Sequence, residues 1–166
     1  MRWFPIAVIS ASIFLFTHQA KAGDFILSAG PGLGVVHSSQ GDVGFSGLVE
    51  AGYEFAPIDA FRIAPLLRGN AAWLGDTPDV AAYLGEAALR VSVKLGPVFI
   101  SAHGFGGFGH NTVADDDISP VLGGGIQIDG EIASWFRLGG FADETVVFGA
   151  PDLIFLTIGP KATFAF

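Results

Sequence analysis

From residue 24 to the C-terminus, apolar and polar side chains alternate with a period of two, in eight segments set apart by turn residues. The segments span approximately 24–36, 44–55, 60–73, 80–94, 98–110, 119–132, 135–147 and 153–166. None sustains a helical period, so each is expected to be a β-strand. One parity is almost wholly apolar and includes Leu27, Val49, Ile63, Val91, Ile126 and Ile158. The opposite parity carries Glu50, Glu54, Arg62, Arg68, Glu86, Arg90, Lys94, Asp129, Glu131, Arg137, Asp143 and Lys161. The connections also alternate: those at 56–59, 95–97 and 133–134 are tight, and those at 37–43, 74–79, 111–118 and 148–152 are longer and more polar. Tight turns at one end and longer loops at the other suit an up-and-down antiparallel barrel.

Two geometries fit such faces. In a soluble β-domain, including a lipocalin-like binding protein, the apolar parity points inward. In a membrane barrel it points outward to lipid and the charges fill the lumen. The segments are long enough to cross a bilayer at a tilt. Aromatic residues gather near their ends, with Tyr53, Phe55, Phe61, Phe164 and Phe166 toward the tight turns and Trp73 and Phe108 toward the longer loops, as two interfacial girdles require. The expected fold class is therefore all-β, an eight-stranded antiparallel up-and-down transmembrane β-barrel.

Composition sharpens this expectation. The 166 residues are 51% hydrophobic and only 14% charged, with 24 glycines; an ordinary soluble domain carries roughly 25% charged residues. Part of the excess lies at the start, where Arg2, the apolar run 3–16 and Ala20-Lys21-Ala22 have the form of a secretory signal peptide. Cleavage after Ala22 would remove residues 1–22 and leave 23–166 as the barrel domain. Losing Arg2 and Lys21 would take the formal net charge from −8 to −10. Six bases and six acids share the polar parity and cancel, so the acidic excess belongs to the rims. Asp42, Asp76, Asp79, Asp115, Asp116, Asp117, Glu144 and Asp152 fall on the longer-loop side, and Asp24 and Asp59 on the other.

Several chemistries drop out. With no cysteine there is no disulfide, thiolate metal site or cysteine nucleophile. Sixteen acids against eight bases argue against nucleic acid as a partner. The glycine run 104–109 fits G-x-G-x-x-G, but it sits inside a strand and not at a strand-to-helix junction, so no dinucleotide cofactor is expected. Asp115-Asp116-Asp117 is expected to be a solvated acidic loop and not a metal site; no calcium-loop spacing surrounds it.

The closing stretch from Leu156 to Phe166, with alternating apolar residues and a terminal Phe, resembles the last strand of bacterial outer-membrane barrels. Eight strands in a chain of this size resemble the small OmpA/OmpX-like barrel family. The resemblance implies an outer-membrane location and insertion by the barrel assembly machinery, with Phe164 and Phe166 as the assembly signal. It also implies outer-membrane lipid and lipopolysaccharide as surroundings, and longer loops outside the cell. Pro160 departs from the pattern, and a bulge or local unpairing is expected there.

An eight-stranded barrel is just wide enough for side chains to fill it. The expected fill is glycine and alanine around a salt-bridge plug that includes Asn70, Gln127, His103 and Ser101. A monomeric structural or envelope-maintenance protein without catalysis, cofactor or metal follows. Two alternatives stand beside it. Rearranged ion pairs could open a narrow solute or ion path. Ser101 and His103, two residues apart on one strand face, could form an esterase, loosely similar to the lipid A deacylase barrels although the order of Ser and His is reversed.

Overall fold

The computed structural model describes residues 21–37, 43–74, 80–112, 118–149 and 152–166. Eight strands, β1 (Lys21–Val36), β2 (Val43–Ile58), β3 (Phe61–Leu74), β4 (Val80–Leu95), β5 (Val98–Asn111), β6 (Ser119–Ala133), β7 (Phe136–Val147) and β8 (Leu153–Ala165), close into a barrel. Each pairs antiparallel with its sequence neighbours, and β8 pairs back onto β1. A ring of paired residues starting at Ile26 passes through Gly52, Leu66, Ala88, Phe105, Gly123, Thr145 and Phe155 and closes on Val36, ten residues further along β1. This shear tilts the strands against the barrel axis.

The strand bounds depart from the alternation by only a few residues. The largest change is in β2, which runs on through Ala56-Pro57-Ile58 with a register shift between Phe55 and Ile58, so the turn falls at Asp59-Ala60. Pro57 brings no ladder donor, which suits a bulge. Regular β1 pairing begins at Asp24, after a shift that follows Lys21. Gly96-Pro97 forms another two-residue turn, where Gly96 has φ of 61°; a glycine with positive φ ahead of a proline fits a type II′ hairpin turn.

The apolar parity faces outward. Leu27, Val49, Ile126 and Ile158 are between 46% and 60% exposed, whereas Glu86 and Lys161 are 5% and 1% exposed. A soluble barrel with an apolar cavity requires the reverse. The lumen nevertheless differs from the expected glycine and alanine fill. At the loop end Val36, Leu84, Val121, Val147, Leu153 and Phe155, with Ala72 and Ala82, form a buried apolar cap. A second cluster gathers Ile26, Leu66 and Phe105 with Ala64, Ala88 and Ala165. Interiors pack to near-crystalline density, and small residues alone would leave voids. The glycines serve close approach instead: a Cβ on Gly125 or Gly139 would collide with the inward carboxylates of Asp143 or Asp129.

Pro160 causes no bulge. The β1–β8 register is the same on either side of it, from Ala29 opposite Ala162 to Leu33 opposite Ile158, but the intervening residues are unpaired across this seam. Phe25 and Phe166 exchange both backbone hydrogen bonds. Six residues further along, the same type of position brings Pro31 opposite Pro160, so both ladder donors are missing there. Gly30 and Gly159 admit the carbonyls of Pro160 and Pro31 at close range.

Candidate functional site

Period-two geometry turns every second side chain of each strand into the lumen, and closure of the sheet brings distant strands within reach. Glu50 on β2 is the hub. It accepts from Lys161 Nζ at 2.7 Å and Arg90 Nη1 at 3.3 Å, and its other oxygen lies 3.2 Å from Arg68 Nε. Arg68 also pairs with Asp143 on β7 and lies 3.7 Å from Glu86. Its guanidinium stacks on Phe105, 4.1 Å from the ring centre. Lower in the barrel Arg137 grips Glu54 with two hydrogen bonds, 2.9 and 2.6 Å, and stacks on Phe99 at 4.1 Å. Gln127 links the halves, accepting from Arg90 and Lys161 and donating to Asp129.

Nine of the twelve polar-parity charges are thus buried: Glu50, Glu54, Arg68, Glu86, Arg90, Asp129, Arg137, Asp143 and Lys161. The other three belong to the tight-turn rim and not to the buried lumen. Arg62 donates to the carbonyls of Ile58 and Asp59, both at 3.1 Å, and so braces the β2–β3 turn. Lys94 and Glu131 pair with each other at 2.5 Å, each over a quarter exposed. Strand ends explain the difference, because the last inward position before a turn meets solvent. Removing two charges from water costs several kcal/mol per ion, so these pairs hold relative strand positions more than they add net stability.

Ser101 and His103 both face the lumen but are not joined. The Ser101 hydroxyl donates to Ser92 Oγ at 2.8 Å, and His103 Nε2 lies 2.8 Å from Asp143 Oδ1. Among the described residues no three His, Cys, Asp or Glu side chains form a metal-binding group.

On the outer wall, Tyr53 and Phe55 pack together with ring centres 4.9 Å apart, and Phe164 packs on Phe136 at 5.2 Å and Trp135 at 6.2 Å. Phe61 is half-buried at the same end, and Phe166 is exposed there. At the loop end Trp73 meets Tyr83 edge-on at 6.0 Å, with Phe108 exposed on β5. Trp135, Phe136 and Tyr83 were not in the expected girdles, although Trp135 stands beside a turn where a belt residue belongs. Phe99 and Phe105, which carry the stacked arginines, were also unanticipated, but both sit on the charged parity and could have been read from it. Asp42, Asp76, Asp79 and Asp115–Asp117 lie outside the described residues, as do residues 1–20. Glu144 lies 3.7 Å from His37 Nδ1, and Asp152 accepts from the Gly149 amide at 2.9 Å.

An apolar wall enclosing interlocked charges defines the fold of a small transmembrane β-barrel. No family model matches the chain, and no curated protein matches it. Among solved structures it is similar to Neisserial surface protein A, NspA, with a TM-score of 0.65 and 15% identity over 86% of this chain and 97% of that one. It is also similar to Ail, the attachment invasion locus protein of Yersinia pestis, with a TM-score of 0.53 and 12% identity over 88% of this chain and the whole of the other.

Proposed function

We propose that the protein is an integral outer-membrane barrel with a structural or envelope-maintenance role, its lumen plugged by the charge network. The observation that carries this reading is the set of nine buried charged side chains, seven of them cross-linked between strands that are not neighbours, beneath a wall of exposed apolar residues. Cross-lumen pairs such as Arg68–Asp143 and Lys161–Glu50 occupy the space through which a solute would pass. Such a barrel works as a monomer in contact with outer-membrane lipid and lipopolysaccharide, after export by a cleaved leader and insertion by the barrel assembly machinery. Its loop-end acids would meet anionic lipopolysaccharide through bridging divalent cations. Catalysis has no support in the separation of Ser101 from His103.

Cell fractionation with gel electrophoresis of heated and unheated samples tests the location, and swelling of protein-loaded liposomes tests the plug. Outer-membrane recovery, heat-dependent mobility and swelling equal to empty vesicles are expected. Recovery as a soluble periplasmic protein, or rapid swelling with small sugars, would overturn the reading.

A further inference from the structure

The lumen changes character just inside its apolar cap. Ala72, Leu84, Val147 and Phe155 belong to that cap. Two residues deeper on the same four strands stand Asn70, Glu86, Thr145 and Thr157, none more than 5% exposed. Ser46, paired with Ala72 across β2 and β3, is 6% exposed. Asn70 Oδ1, the hydroxyls of Ser46, Thr145 and Thr157, and both carboxylate oxygens of Glu86 have no hydrogen-bond partner among the described residues. Ser46 Oγ and the Thr157 methyl both border Gly32, so these two side chains meet over β1 from its opposite sides. Buried oxygens in native proteins are ordinarily satisfied by protein, water or an ion.

Charge points to the same place. The buried carboxylates are Glu50, Glu54, Glu86, Asp129 and Asp143, against Arg68, Arg90, Arg137 and Lys161, with His103 held against Asp143. With His103 counted as neutral the buried set is one positive charge short, and its two least compensated carboxylates are Asp129, held by the Gln127 amide with no ion pair among the described residues, and Glu86. Arg90 and Lys161 serve Glu50, and Arg137 serves Glu54. Arg68 alone is shared among Glu50, Asp143 and Glu86, and Glu86 holds it least closely at 3.7 Å.

We propose that this layer binds one monovalent cation of sodium or potassium size, held by the Glu86 carboxylate and by the oxygens of Asn70, Ser46, Thr145 and Thr157, and occluded beneath the apolar cap. Hard oxygen donors suit such ions, and one carboxylate among neutral oxygens supplies too little charge to hold a divalent ion in preference to its water shell. The site is independent of the barrel's role in the envelope.

The full barrel, folded in detergent, is melted in sodium, potassium or choline chloride of equal ionic strength, and crystals of the unaltered chain are soaked in thallium(I). The unfolding midpoint is expected to be several degrees higher in sodium or potassium than in choline. Glu86→Gln removes that difference, Glu131→Gln at the rim keeps it, and anomalous density from thallium appears beside Glu86. Equal midpoints in all three salts, a cation preference that survives Glu86→Gln, or thallium found only at the surface would overturn the proposal. So would stability governed at Glu86 by pH and not by the cation, since a proton would then supply the missing charge. The thallium experiment needs no variant, so a Glu86→Gln chain that fails to fold leaves the test intact. A membrane-located barrel indifferent to the cation refutes this site and leaves the envelope reading untouched.

Discussion

Glu50 and Lys161 offer a prediction whose asymmetry follows from the network. Glu50 faces three cations, Lys161, Arg90 and Arg68, while Lys161 reaches only Glu50 and Gln127. Glu50→Gln keeps the shape but leaves three buried cations short of their common partner, a loss of about 3–5 kcal/mol by the usual cost of breaking a buried pair. Lys161→Met leaves Glu50 compensated by two arginines, so the loss is that of a charged hydrogen bond, about 1.5–3 kcal/mol. In the double variant Lys161→Met should cost less than it does alone, with a coupling of about 0.5–3 kcal/mol. Urea unfolding from lipid vesicles, followed by the fluorescence of Trp73 and Trp135, measures all four corners of the cycle. A Lys161→Met cost equal to or above that of Glu50→Gln, or strictly additive effects, would refute the hub.

Other consequences are checked in the same system. Leu67, in mid-strand and 71% exposed, faces the lipid; Leu67→Lys should cost about 2–4 kcal/mol, and Ile132→Lys near a turn only about 0–1. Restoring donors at the β1–β8 seam with the double variant Pro31→Val and Pro160→Val should stabilise the barrel by about 1–3 kcal/mol, two ladder bonds at roughly 0.5–1.5 each. A midpoint unchanged in that variant would mean the seam loses nothing at the prolines. Ser101→Ala breaks only the bond to Ser92 and should leave the lipid A profile of the cells unchanged by mass spectrometry; a changed acylation pattern would restore the esterase reading.

The strands and their two faces were legible because the wall must present an unbroken apolar surface, which forces a clean period of two over every crossing. Lumen pairings were not legible. Arg68 and Asp143 are 75 residues apart, and only the closure and shear of the barrel bring them together. Arg62, Lys94 and Glu131 share parity with the buried charges, and only their place at strand ends sets them at the rim. Phe99, Phe105 and Phe155 stood on the polar parity in plain view, but a rule that fills a lumen with small and charged residues overlooks the need for flat partners under arginine and for an apolar cap. Pro160 showed where a donor is missing; that Pro31 would stand opposite it depended on the register.

The whole architecture turns on the apolar parity facing lipid. Because the chain has no cysteine, a single environment-sensitive dye can be attached through Leu67→Cys, Ile126→Cys or Ile158→Cys, with Asp59→Cys at the β2–β3 turn as the reference. In vesicles containing brominated acyl chains, the three wall positions should be strongly quenched by lipid and protected from aqueous iodide, and the turn position should behave in the opposite way. Iodide reaching all three wall positions, with no quenching by the brominated lipid, would contradict the account.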